Sequence, residues 1–204
     1  KEELIEAFSL EGINRANSVF NVNKKDPKFF TDPKALSINS HYIRNISIEE
    51  LEPYVKAELE RAGIWNPEFE STKRDWFLAT IDLIRSRYHV TTEFATLGRA
   101  YFSDEYQIEE KALKKNILKH DGLKNWFSIL ADRLEAIESF SIEETENVIR
   151  DMAEEFGVKA GVLINGIRAA VTGQTVGPGL FDILIVIGQK RVVERLRKAV
   201  SLFN

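Results

Sequence analysis

The sequence predicts an all-α protein, and three observations carry that prediction. Apolar residues recur at spacings of three and four along most of the 204 residues, which is the stripe of an amphipathic helix. Two S-x-x-E patterns stand just before such stripes, where a serine and a glutamate satisfy the orphan N–H groups of a helix start. Strict alternation of apolar and polar residues, the mark of a half-buried strand, is scarcely seen.

The elements follow in order. Residues 23–28 and Thr31-Asp32-Pro33 are rich in turn formers, and Pro33 suits the first turn of a helix running through Leu36, Ile38 and Tyr42. Ser47-Ile48-Glu49-Glu50 is the first capping box, and Leu51, Tyr54, Val55 and Leu59 then share a face. Gly63-Ile64-Trp65-Asn66-Pro67 ends that helix. Trp76, Phe77, Ile81 and Ile84 mark the next, and Trp126, Phe127, Leu130, Leu134 and Ile137 another. The second box, Ser141-Ile142-Glu143-Glu144, opens a helix with Val148, Ile149, Met152 and Phe156 inward, and Gly157 stands where a left-handed residue stops it. An apolar run bearing Arg168 ends at Gly173, the Gly177-Pro178-Gly179 turn follows, and a new helix starts at Leu180. Val192, Val193, Leu196 and Val200 mark the last. Residues 102–106 and 120–122 read as loops, so two helical subdomains are expected, residues 1–105 and 106–204.

Bulk composition narrows the function. Hydrophobic residues at 44% and charged residues at 29% describe an ordinary globular chain, and no apolar run reaches membrane-spanning length. No cysteine is present, which removes disulfides, thiolate catalysis and cysteine-held zinc or iron–sulfur sites. Lys1-Glu2-Glu3-Leu4-Ile5-Glu6 has no signal-peptide character and reads as the middle of a longer, cytoplasmic protein. There is no G-x-x-x-x-G-K loop and no G-x-G-x-x-G. His41, His89 and His120 are scattered, so no metal site is expected. Glu109-Glu110 and Glu143-Glu144 suit helix N-termini better than an acid/base pair. No catalytic residue is assigned.

Charge distribution is more informative than its sum of −4. Residues 157–204 carry seven basic residues (Lys159, Arg168, Lys190, Arg191, Arg195, Arg197 and Lys198) against Asp182 and Glu194. Two readings stand: a solvated helix face, or a surface toward phosphates, with Arg191 and Arg195 as its contacts. Arg168 beside the Gly/Pro turn either pairs with a carboxylate or offers its fork of donors to an unstacked base or phosphate. Gly177, Pro178 and Gly179 either form a tight turn only or let backbone groups approach a base closely. Ile84-Arg85-Ser86-Arg87-Tyr88-His89 clusters cations and rings at a helix end, either as a solvated terminus or as a base-stacking surface.

Several segments taken together resemble the C-terminal anticodon-binding region of bacterial-type glutamyl-tRNA synthetases, a class I family. Phe8-Ser9-Leu10-Glu11-Gly12-Ile13-Asn14-Arg15 through Phe20-Asn21 is similar to the segment that follows the catalytic half. Residues 32–44, Phe94-Ala95 to Tyr101-Phe102 and the closing helix from Gly188 to Leu196 match in family order. The block Ile167-Arg168-Ala169-Ala170-Val171-Thr172-Gly173 to Gly177-Pro178-Gly179-Leu180-Phe181 matches best. Residues 23–30 form an insert, and Ser37 replaces a bulkier apolar residue. The resemblance implies an α-helical cage that reads tRNA(Glu) as a monomer. Arg168, Thr172, Gly177, Pro178 and Leu180 would face the anticodon. Arg87, or Arg85 in the neighbouring register, would read the third anticodon base. That base is C in glutamate tRNAs and G in glutamine tRNAs. Asn39, His41 and Arg44 would lie nearer the catalytic half. Neither H-x-G-H nor K-M-S-K-S occurs, so ATP and magnesium are implied only for a full-length enzyme and no cofactor for this chain. A helical protein–protein adaptor without RNA binding is the rival reading.

Overall fold

The computed structural model describes residues 32–203, and among them every regular element is helical. The similarity over residues 8–21, the insert at 23–30 and the turn at Thr31 lie outside the described residues. Helix α1 (Pro33–Asn45) starts with Pro33 in its first turn and the Asp32 carboxylate accepting from the Lys34 N–H at 2.7 Å. Helix α2 (Ile48–Arg61) has the full capping box: Ser47 Oγ accepts from Glu50 N–H and the Glu50 carboxylate accepts from Ser47 N–H. Such a cap is worth about 1 kcal/mol. It supports a helix that also carries Pro53 in its interior, where one ladder bond is lost.

A short 3-10 turn, Pro67–Glu70, leads into α3 (Arg74–Arg85), followed by the brief helices α4 (Thr92–Ala95) and α5 (Arg99–Phe102). Helix α6 (Glu110–Ala112) runs directly into a π-helical turn at Leu113–Ile117. Then come α7 (Leu123–Glu135), α8 (Ile142–Glu155), α9 (Ala160–Thr172), α10 (Leu180–Ile187) and α11 (Gln189–Val200), with a closing 3-10 turn at Ser201–Phe203.

Two groups of helices pack internally. Helices α2, α3 and α4 form one, and α7 to α11 with the π-turn form the other, where α7 against α11 is the most extensive contact. The buried side chains nonetheless make one continuous cluster from Ile43 to Ala199. An aromatic nest holds the seam. Phe69 stacks on Phe77 with ring centres 5.1 Å apart, and Phe102 meets Phe77 edge-on at 5.8 Å. Trp76 at its rim donates from Nε1 to the Val186 carbonyl of α10 at 2.7 Å, tying the groups together. Rings of this size each contribute about 2–3 kcal/mol by burial.

Two local expectations are corrected. Tyr54 is exposed, and the buried stripe of α2 is Leu51, Val55 and Leu59. Helix α1 runs through Leu36, Ile38 and Tyr42 as expected, and it buries Ser40 and Ile43. Ser141 caps α8 by accepting from Glu144 N–H, without the return bond from the glutamate side chain. Gly157 does stop α8 with φ +62°, and its neighbour in kind, Gly173, stops α9 with φ +77°.

Candidate nucleic-acid interface

The end of α9 and the turn after it form one unit. Thr172 is 4% exposed, and its hydroxyl donates to the Arg168 carbonyl at 2.8 Å while accepting from Gln174 N–H at 3.2 Å. It shapes the helix exit and presents nothing outward. Gly173 then admits residues 106–109: a Cβ there would stand 2.2 Å from the Gln107 carbonyl oxygen, and Glu109 N–H donates to the Gly173 carbonyl at 2.9 Å. Beyond it the chain runs through Val176, 72% exposed, to Gly177 and Pro178. Arg168 reaches across from α9 and donates from Nη1 to the Pro178 carbonyl at 2.5 Å. A Cβ on Gly177 would lie 3.2 Å from that same Nη1 and 3.9 Å from the Tyr101 hydroxyl.

Three features therefore meet: the Arg168 guanidinium, the bare turn at Gly177-Pro178 and the Tyr101 hydroxyl, while the charge of Arg87, just beyond the end of α3, acts on Arg168. Burial lowers the Arg168 pKa from its ordinary value, with Tyr101 opposing and the Arg87 charge adding to the drop. Burial likewise raises Tyr88 and Tyr101 far above the usual phenol value, so both are neutral donors. The Tyr101 hydroxyl has no hydrogen-bond partner among the described residues.

This cluster lacks counter-charge among the described residues. Arg61, Arg74, Arg85, Arg133, Arg150, Arg191, Arg195 and Arg197 each hold a carboxylate. Among the described residues Arg87 and Arg168 hold none, and neither do Arg44 and Arg99. Two like charges left together in a partly desolvated place favour an electron-rich ligand.

The other sequence candidates go elsewhere. Arg85 turns from the cluster, donating to the Ile46 carbonyl at 2.8 Å and pairing with Asp82 at 2.7 Å, and Arg87 is the one whose charge acts on Arg168. Leu180 is 3% exposed and lies in the core, where it floors the turn instead of facing outward. Arg195 is 5% exposed. It donates to the Val171 and Ser103 carbonyls at 2.6 and 2.9 Å, pairs with Asp104 and stacks over Tyr106. Arg191 donates to Asp104 and to the carbonyls of Ala100, Tyr101 and Ser103. Both are internal clamps, and the phosphate contact expected of them gives way to that role. Arg197 in turn pairs with Asp132 and Glu135. Much of the positive excess of the last helix is thus spent on acids from earlier in the chain. Asn39 donates to the His89 carbonyl, and His41 lies against Asn45 of the same helix.

Sequence reasoning missed Tyr101 and Val176. Tyr101 had been visible only as part of an aromatic stretch, and a valine in a loop gives no signal until its exposure is known.

Comparison with known proteins places this geometry. The sequence matches the anticodon binding domain family over residues 47–200. A glutamate–tRNA ligase of Desulfotalea psychrophila is 57% identical over 203 residues, covering all of this chain and 41% of that protein. Glutamate–tRNA ligase 2 of Koribacter versatilis is 38% identical over 200 residues, covering 97% of this chain and 38% of the relative. The chain spans about 40% of the length of these curated relatives. The crystal structure of a glutamate tRNA ligase from Elizabethkingia meningosepticum in complex with its amino acid superposes with a TM-score of 0.70. It is 22% identical, with 86% of this chain and 33% of that chain covered, and shows that the fold is shared.

Proposed function

This chain belongs to the anticodon binding domain family, and from that premise we propose that it reads the anticodon of glutamate tRNA as part of a glutamate–tRNA ligase. The observation that carries the reading is the uncompensated pair Arg87 and Arg168 beside the bare Gly177-Pro178 turn. Unstacked bases present acceptor edges that guanidinium forks bind, and the missing side chain at Gly177 lets the Arg168 guanidinium lie against the turn. Arg168 is held by Pro178 through one donor and offers its remaining N–H groups outward, with the Tyr101 hydroxyl beside it. Val176 supplies an apolar surface for a base face. Arg85, Thr172 and Leu180 support this wall, and Arg191 and Arg195 hold the closing helix against residues 100–104.

The whole enzyme joins glutamate to tRNA using ATP and magnesium, which bind in the remaining length of the ligase. The cluster here is cationic and offers no carboxylate to a magnesium ion among the described residues. The two helical groups act as two subdomains meeting near residues 103–109, and the enzyme works as a cytoplasmic monomer. Among the described residues no helix is long and apolar enough to cross a membrane.

The test is titration of this chain with a synthetic anticodon stem–loop of glutamate tRNA. Affinity is expected to fall about tenfold or more between roughly 50 and 200 mM salt. Loops with changed anticodon bases are expected to bind more weakly. A folded sample that binds no stem–loop, or binds with no salt dependence, overturns the reading and favours a protein-binding adaptor.

A further inference from the structure

A second cationic feature lies at the opposite end of α9, and no part of the anticodon reading uses it. Lys115, Lys119, His120 and Lys159 surround a cavity of about 230 Å³ that Asn116, Gly161 and Asn165 also line. Among the described residues none of the three lysines has a carboxylate partner. That sets them apart from nearby Lys114, which pairs with Glu110.

The floor of this basin is the unusual part. Asn116 is 8% exposed, sits in the π-helical turn of Leu113–Ile117, and its side-chain amide has no hydrogen-bond partner among the described residues. Its polar atoms still reach solvent, and π-turns of this kind recur at functional sites. The amide borders the cavity, so its donors and acceptor are available to whatever occupies it.

The wall of the basin is the first turn of α9. Lys159 at the N-cap gives no side-chain hydrogen bond to that turn, so its leading N–H groups are uncapped. A Cβ on Gly161 would meet nothing within 4 Å, and the approach to those groups is open. Uncapped N–H groups and the positive end of a thirteen-residue helix favour an anion.

Position along α9 says which anion. Gly161, Asn165 and Arg168 are spaced four and three apart, so they lie along one helical face. From Gly161 to Arg168 the rise is about 10 Å, or roughly three steps of a stacked strand. A strand that runs along this face with a base at Arg168 would have its backbone at this basin about three nucleotides away.

We propose that the basin formed by Lys115, Asn116, Lys119, Lys159 and the first turn of α9 binds a backbone phosphate of the same RNA strand whose base is held at Arg168. The proposal rests on the anticodon reading and extends it: the basin fixes register, and the Arg168 cluster examines bases. The lysines supply charge, and the Asn116 amide and helix N–H groups supply directed donors.

The test uses the full chain, the anticodon stem–loop and three variants. In Lys115→Gln/Lys119→Gln/Lys159→Gln the three exposed cations are removed with side-chain length kept. Affinity at low salt is expected to fall about tenfold, and the slope of log K against log salt to shallow by about 0.7 to 1. Preference among loop sequences should stay unchanged. Asn116→Leu, which keeps the branched shape without hydrogen-bonding atoms, is expected to weaken binding about threefold to tenfold with the salt slope intact. Arg168→Ala should instead reduce the preference among loop sequences. Wild-type affinity and slope in the triple variant overturn the basin while leaving the anticodon reading standing. A parent chain that binds no stem–loop overturns both.

Discussion

Arg168 and Pro178 are joined by a 2.5 Å hydrogen bond from Nη1 to the Pro178 carbonyl, so the arginine is fixed by the turn that follows its own helix. One donor is spent on that staple, and the others remain in a plane set by it. A guanidinium can hold the turn and still present a fork. An ammonium group offers neither the plane nor the reach. The relationship makes the helix end, the turn and the cation a single rigid part, and rigidity is what lets a polar group discriminate between ligands of similar shape.

Arg168→Lys should therefore fail although it keeps the charge. The expected loss is about tenfold in stem–loop affinity, equal to about 1.4 kcal/mol. The melting temperature should move by only a few degrees, because one hydrogen bond contributes about 1 kcal/mol. Fluorescence anisotropy beside a thermal melt checks both. Parent-like affinity in the lysine variant would leave charge alone as the role of this residue.

Arg87 has a separate expected role. It is exposed, has no carboxylate partner among the described residues and lies within electrostatic reach of Arg168. Arg87→Gln is expected to bring binding of stem–loops with C and with G at the third anticodon position closer together. The stability of the protein should stay within about 0.5 kcal/mol, as for other exposed substitutions. The ratio of the two affinities is the readout, and an unchanged ratio removes Arg87 from base reading.

Legibility followed the range of the interactions involved. The capping box at Ser47, the stop at Gly157 and the 51–55–59 stripe were readable because each depends on residues within a few positions. Tyr54 was misplaced because helical spacing defines a broad face, and a residue on its edge is buried only if a neighbour covers it. At the site, Arg168 and the Gly177-Pro178 turn were visible because they are ten residues apart. Arg195 was not. Its partners, Ser103 and Asp104, lie some ninety positions upstream, and no local pattern separates a clamp from a phosphate contact. Leu180 was given an anticodon-facing role by the resemblance alone, and as the first residue of an apolar helix it packs inward. The Asn116 basin left no trace in periodicity, since a π-turn shifts the register that periodicity reads.

Gly173→Ala should test how tightly the helix exit is built. Its φ of +77° is strained for any side chain, and an added Cβ would stand 2.2 Å from the Gln107 carbonyl oxygen. Left-handed strain alone costs about 1–3 kcal/mol, and relief of the clash must move residues 107–109. The expected loss is about 3 kcal/mol in denaturant unfolding, with stem–loop affinity reduced as the turn shifts. A loss under about 1 kcal/mol would mean that this segment yields easily and does not position the turn.

Asp104 offers a test that separates clamp from contact. Its burial works against the charged form, but the hydrogen bonds and charges of Arg191 and Arg195 outweigh that and hold its pKa below the ordinary carboxylate value. A depressed pKa contributes stability that is fully present above the unfolded value of about 3.9 and is lost as pH falls through the lower folded value. Asp104→Asn should accordingly be less stable than the parent at neutral pH, and the gap should close below about pH 4. The same substitution removes the acid that neutralises both arginines. If Arg191 and Arg195 gripped RNA phosphates, releasing them would tighten binding and steepen its salt dependence. As internal clamps bonded to the carbonyls of residues 100–103 and Val171, they should leave stem–loop affinity at neutral pH within about twofold. A tighter and more salt-dependent complex would return these two residues to the RNA surface.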